Sequence, residues 1–214
     1  MLNLSGNSLP SGARRLLAGI GLACTLMAAD RAEAGLLVDT TTDCAEQTLE
    51  RPFLPWADPA HYTLVPQGSF GKGAGDWRLS DARVVGENEP FRVNADRRSA
   101  SLRVEAGGSV TSPAMCLGIL HPTLRFFARN EGSPAGGLKV EALVEDAHGE
   151  VLALPVGAVI GHSEWAPTLP LPVVVNLLPL LPDERTLVAF RFSAPASGGS
   201  WLIDDVYVDP YSKG

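Results

Sequence analysis

Hydrophobic and polar positions alternate with a period of two in several short stretches of this chain, and no long stretch repeats at helical spacing. In residues 99–106, Leu102 and Val104 fall on one side and Arg103 and Glu105 on the other. In residues 123–129, Leu124, Phe126 and Ala128 oppose Arg125, Phe127 and Arg129. Each pattern predicts a half-buried strand. Residues 137–160 predict a hairpin, because Leu138, Val140, Ala142 and Val144 alternate with Lys139, Glu141, Leu143 and Glu145 before a polar turn at 146–150. The returning run, 151–160, is apolar nearly throughout and holds Pro155, which places it at a sheet edge or on a bulge. Residues 186–194 put Val188, Phe190 and Phe192 inward, and a Pro/Gly/Ser turn leads into a last strand at 200–210. Short strands joined by Gly, Pro, Asn and Asp turns predict an all-β chain folded as an antiparallel β-sandwich.

Two regions depart from the pattern. Residues 44–75 are interrupted by prolines and glycines and predict irregular structure. Residues 170–184 are apolar and carry four prolines, which rule out a long helix by breaking its hydrogen-bond ladder. That stretch reads as a buried crossover with a helical turn near 176–178, or alternatively as a patch for a partner.

The last strand raises a specific problem, since Asp204 and Asp205 sit side by side in its middle. Unbroken alternation puts Asp204 on one face with Leu202, Val206 and Val208, and Asp205 on the other with Trp201, Ile203 and Tyr207. A carboxylate turned toward a core needs hydrogen bonds, a cation or a distortion of the strand. Backbone N–H groups, an arginine, a β-bulge and a metal ion are all candidate solutions, of which metal is the least common.

The N-terminus changes the picture of where the chain works. Arg14 and Arg15 precede an apolar run at 16–29, and Ala32 and Ala34 form a small-x-small site. This predicts a secretory signal over residues 1–34 and a single domain over 35–214. The run is shorter than the roughly 18 residues of a membrane span, and the mature chain has no second one. Sec and twin-arginine export both remain open. Removing residues 1–34 leaves 14 basic and 22 acidic residues, a net charge of −8, which disfavours nucleic acid as a partner. It also leaves two cysteines, Cys44 and Cys116, which predict one disulfide in an exported protein.

Catalytic patterns are weak. His61, His121, His148 and His162 are scattered without the spacing of a zinc pair, and His162–Ser163 has no nucleophile-elbow context. The glycine-rich run at 68–76 lacks the order of a phosphate loop. The chain is therefore expected not to be an enzyme.

The closing segment reads aromatic-x-Ile-Asp-Asp-Val-x-Val from Trp201 to Val208 and is entered from a Gly-rich turn. It resembles the last strand of secreted jelly-roll β-sandwiches related to carbohydrate-binding modules and galactose-binding-like domains. In several of those, an early Glu and a closing-strand Asp hold a structural calcium ion. The resemblance implies Glu50, Asp204 and Asp205 as candidate calcium ligands, with Trp56 in the place of an early family Trp. Calcium favours such a site because it takes six to eight oxygen ligands. A sugar-binding domain should also offer aromatic faces beside hydrogen-bonding groups. The outward row of Arg125, Phe127 and Arg129, joined by Glu141, Arg191 and Trp165, is the expected platform. The leading expectation is an exported, non-catalytic domain that binds glycan or cell-envelope material. A structural or protein-interaction β-sandwich without a small ligand is the alternative, and a hydrolase comes third.

Overall fold

A computed structural model describes residues 44, 46–94, 99–118, 122–133, 136–145, 150–173 and 185–210. The expected signal at 1–34, the histidines at 121 and 148, and most of the proline-punctuated run, including the helical turn expected at 176–178, lie outside the described residues.

The described residues form eleven strands: β1 (Thr63–Leu64), β2 (Arg78–Val85), β3 (Ser101–Thr111), β4 (Met115–Gly118), β5 (Thr123–Asn130), β6 (Leu138–Glu145), β7 (Val151–Val159), β8 (Ala166–Pro167), β9 (Leu171–Pro172), β10 (Arg185–Ser193) and β11 (Trp201–Asp209). One 3-10 turn, Leu54–Trp56, precedes them. The strands run in the order β7-β6-β10-β3-β11-β5-β8, and the pairings are antiparallel. The β6–β7 hairpin is the predicted one. Its returning strand lies at the edge, and its register shifts by one residue opposite Pro155, where the ring removes a ladder donor.

The sheet doubles over because β3 serves both layers of a jelly-roll β-sandwich. Residues 102–104 pair with β11, whereas residues 109–111 pair with β10. The corner lies at Gly107, whose φ is 82°, and Gly108, where an added Cβ would come within 2.5 Å of the Asp81 carbonyl oxygen. Strand β2 follows the same corner with a bulge at Asp81. Between the layers, Leu124, Phe126, Ala128, Trp201 and Ile203 face Val140, Ala142, Val188, Phe190 and Phe192. Phe126 meets Phe192 edge to face at 5.1 Å, joining the two layers. Each of these large side chains contributes about 1.5–3 kcal/mol through removal from water.

A second, smaller core lies on the outer face of β5 and β11. Residues 50–62 cross that face and bury Phe53 and Tyr62 against Phe127 and Tyr207. Phe53 stacks on Phe127 at 5.6 Å and meets Tyr62 edge to face at 5.0 Å. The start of the described chain is stapled to β4 by the Cys44–Cys116 disulfide.

Strand β11 departs from unbroken alternation. Asp205 has φ 48°, and the register with β5 shifts between Asp204 and Tyr207. The extra residue reverses the parity of the strand. Val206 and Val208 therefore join Trp201 and Ile203 in the main core, rather than sharing a face with Leu202 and Asp204. Asp204 pairs with Phe127 and Tyr207 with Arg125, so these four residues belong to the outer, second-core side of the sheet.

Candidate functional site

A cavity of about 560 Å³ opens beside β1, β4 and β11. Its position follows from two fastenings of the segment that forms its wall. The disulfide ties Cys44 to β4, and Glu50 exchanges two backbone hydrogen bonds of 2.8 Å with Tyr62. Between them the Gln47 side chain donates a 2.7 Å hydrogen bond to the Cys116 carbonyl. Glu46, Gln47, Thr48 and Glu50 are thereby held along one side. Thr63 and Leu64 stand beside them because β1 pairs with Tyr207 and Val208 of β11. Met115 and Cys116 of β4, with Pro66, supply apolar lining, and Asn94 and Ser69 add polar groups.

The Tyr207 hydroxyl donates to Glu50 at 3.4 Å. Burial first, and then the negative charges of Asp205 and Glu50, push this phenol well above the usual tyrosine range. It stays protonated and can only donate to that carboxylate. Thr63 is 5% exposed and lines the same cavity.

Behind this cavity the Asp204–Asp205 bulge ties down the loop that follows β2. Asp204, fully buried, accepts hydrogen bonds from its neighbour's N–H at 2.8 Å and from the Glu89 N–H at 3.4 Å. Asp205 accepts one from the Asn94 side chain, and the Glu89 carboxylate caps the N–H groups of Phe91 and Arg92. Burial, followed by the adjacent Asp205 charge, raises Asp204 to about 9, so it carries a proton at neutral pH. The adjacent aspartates thus work with Glu89 as a backbone clasp.

The three carboxylates expected to hold calcium are each engaged by protein groups. Glu50 turns to Tyr207, Asp204 turns to backbone donors, and among the described residues no group of three or more His, Cys, Asp or Glu is arranged to hold a metal ion.

The expected binding platform is not one surface. Phe127 is buried beneath Phe53, Trp56 and Phe91. Arg125 is 4% exposed: its guanidinium lies 2.6 Å from the Asp58 carboxylate, 2.9 Å from the Thr168 carbonyl and 4.2 Å from the Phe53 ring centre. Both side chains point outward from β5, as alternation requires, but the crossing segment covers them. Glu141 and Arg191 pair at 2.9 Å on the β6–β10 side, and Lys139 adds a contact of 2.6 Å to Glu141. Trp165 is half-buried, with the Arg129 guanidinium 5.8 Å from its ring centre and its indole N–H 3.4 Å from Glu87. Trp56 packs at the margin of the second core, in contact with Phe91 and Phe127. Of the described histidines, His61 accepts a 2.9 Å hydrogen bond from Arg51, and burial holds His162 below the usual imidazole value.

No protein-family model matches the chain, and no curated protein matches it significantly. In solved structures the chain is similar to carbohydrate-binding modules. The CBM22-1 xylan-binding domain of Xyn10C from Paenibacillus barcinonensis shares 14% identity, with 69% of this chain and 94% of that one covered at a TM-score of 0.46. A xylan-binding domain of CBM family 22 shares 15% identity over 73% of this chain and 99% of the other, at a TM-score of 0.45. TmCBM61, solved with β-1,4-galactotriose, shares 18% identity over 69% of this chain and 98% of its own, at a TM-score of 0.41. The likeness is one of fold.

Proposed function

We propose that this protein is an exported, non-catalytic domain that binds a glycan or other sugar-bearing envelope material in the cavity beside β1, β4 and β11. One observation carries the reading: a cavity of about 560 Å³ whose lining sets hydrogen-bonding groups beside apolar surface, on walls already fastened by a disulfide and a backbone bridge. Its size falls in the roughly 300–1,000 Å³ range of small-ligand sites. A sugar ring presents C–H surface to groups such as Leu64, Pro66 and Met115, and hydroxyls to Gln47, Asn94 and Thr63. Walls fixed in advance lower the ordering cost of binding.

A glycan array with wild type and Thr63→Val tests this reading. The valine keeps the shape and removes the hydroxyl, so binding to the recognised sugar should weaken about fivefold, the worth of one neutral hydrogen bond. Failure of wild type to bind any immobilised glycan overturns the reading in favour of a structural or protein-interaction domain.

A further inference from the structure

The walls of the cavity converge on one short stretch of β11. Tyr207, itself on the cavity, donates its hydroxyl to Glu50 of the 46–50 wall. Val206 accepts from the Val65 N–H at 2.9 Å and donates to the Gly68 carbonyl at 3.1 Å, fixing the turn that brings Pro66 and Ser69 to the cavity. Asp205 accepts from the side-chain amide of Asn94, which lines the cavity from the loop after β2. Consecutive residues of the bulged strand thus hold separate walls.

Asp205 acts differently from its two neighbours. Tyr207 faces the cavity, and Val206 works through backbone groups that almost any residue supplies. Asp205 is fully buried and is not among the described residues that line the cavity, yet its carboxylate reaches one that does. Unbroken alternation would turn that carboxylate to the side of Trp201 and Ile203, in the main core. The bulge, with Asp205 at φ 48°, carries it to Asn94 instead.

A carboxylate only accepts hydrogen bonds, so the contact decides how the Asn94 amide is turned: the nitrogen faces Asp205 and the carbonyl oxygen does not. A side chain ordered before its ligand arrives saves the entropy of ordering it on binding. We propose that Asp205 is a positioning residue of this site, holding the Asn94 amide in one orientation for a sugar hydroxyl that Asp205 itself does not touch. This inference rests on the sugar-binding reading above and adds to it the way one wall is prepared.

The test is a double-mutant cycle read by calorimetric titration of the full mature domain. The probe is the xylose, glucose, galactose, N-acetylglucosamine or uronic acid oligomer that wild type retains most strongly on the array. Asn94→Ala should weaken binding about fivefold, the worth of one neutral hydrogen bond. Asp205→Gly, which accepts the positive φ without strain, should weaken it at least about threefold. The double variant should bind no more weakly than Asn94→Ala, because the carboxylate acts through the amide. Asp205→Asn keeps an accepting oxygen and tolerates the left-handed backbone, so it should bind within about twofold of wild type. A purely structural role would lower stability without this pattern of coupling and rescue.

A second measurement leaves Asp205 intact. Its carboxyl carbon resonance should shift when wild type is saturated with the same sugar, although the residue lies off the cavity, and should not shift in Asn94→Ala. This resonance decides the matter where Asp205→Gly does not fold. Wild-type affinity in folded Asp205→Gly or in Asn94→Ala, losses that multiply in the double variant, a loss in Asp205→Asn equal to that in Asp205→Gly, or a carboxyl resonance that stays still in wild type overturns the proposal and leaves sugar binding standing. Failure of wild type to retain any glycan overturns the sugar-binding reading itself.

Discussion

Arg125 and Asp58 meet at 2.6 Å between β5 and the segment that crosses it, and this pair holds the second core in place. Asp58 also accepts from the Ala60 N–H at 3.0 Å and from the Tyr62 hydroxyl at 2.7 Å. One carboxylate therefore closes its own turn, fixes Tyr62 and neutralises a buried guanidinium. Removing it leaves that guanidinium without its counter-charge, so Asp58→Ala should destabilise the fold by about 3 kcal/mol, measurable by urea unfolding.

The same pair predicts a response to acid. Burial alone pushes Asp58 up, but hydrogen bonds from Tyr62, the Ala60 N–H and Arg125, together with the arginine's charge, outweigh it and hold the carboxyl below its ordinary value. A carboxylate with a lowered folded value stabilises fully above its unfolded value, about pH 3.9, and loses that contribution as pH falls through the folded value. Wild type should therefore lose stability below about pH 4 more steeply than Asp58→Asn. Parallel acid limbs in the two proteins would contradict the assignment.

Asp204 predicts the opposite slope. Its value is raised to about 9 by burial and by the Asp205 charge. Its protonated form is the native one, so its contribution is whole below about pH 3.9 and declines as pH rises toward 9. Asp204→Asn, which mimics the neutral acid, should gain stability over wild type steadily as pH rises from 5 to 8.5. Calcium and chelator should give the same melting temperature, because a bound ion would have to raise it. A calcium-dependent rise would contradict the clasp reading.

Phe127 and the disulfide supply further tests. Phe127 lies fully buried among Phe53, Trp56 and Phe91, so Phe127→Ala should cost about 3–5 kcal/mol and report on folding rather than on ligand contact. Replacing Cys44 and Cys116 by alanine opens a loop of 72 residues, with a loop-closure contribution of about 4 kcal/mol. It also frees one fastening of the 46–50 wall. Ligand affinity should drop even where the domain remains folded, and unchanged affinity would separate the wall from the site.

The strands that carry the main core were legible because Leu102, Val104, Phe126, Val140, Phe190 and Phe192 lie in clean alternation, each on an edge between core and another surface. Alternation states only which side a residue faces, and it does not say what covers that side. Arg125 and Phe127 faced away from the main core as expected, yet residues 50–62, which show no period, supply the lid that buries them. The parity change in β11 was hidden because either parity puts apolar residues inward, and only the positive φ at Asp205 selects between them. Glu89 and Asn94 carried no signal, since their partners lie more than 100 positions away. The cavity was partly foreshadowed: a disulfide from Cys44 to Cys116 necessarily brings Glu46, Gln47 and Glu50 to β4.

The most direct test of the account is a residue-resolved NMR titration of the mature domain with sugars retained on the array. Binding in the cavity predicts saturable shifts at the amides of Gln47, Thr63, Leu64, Asn94 and Cys116, with little change at Lys139, Glu141 and Arg191. Shifts confined to the β6–β10 face, or none at millimolar sugar, would contradict it.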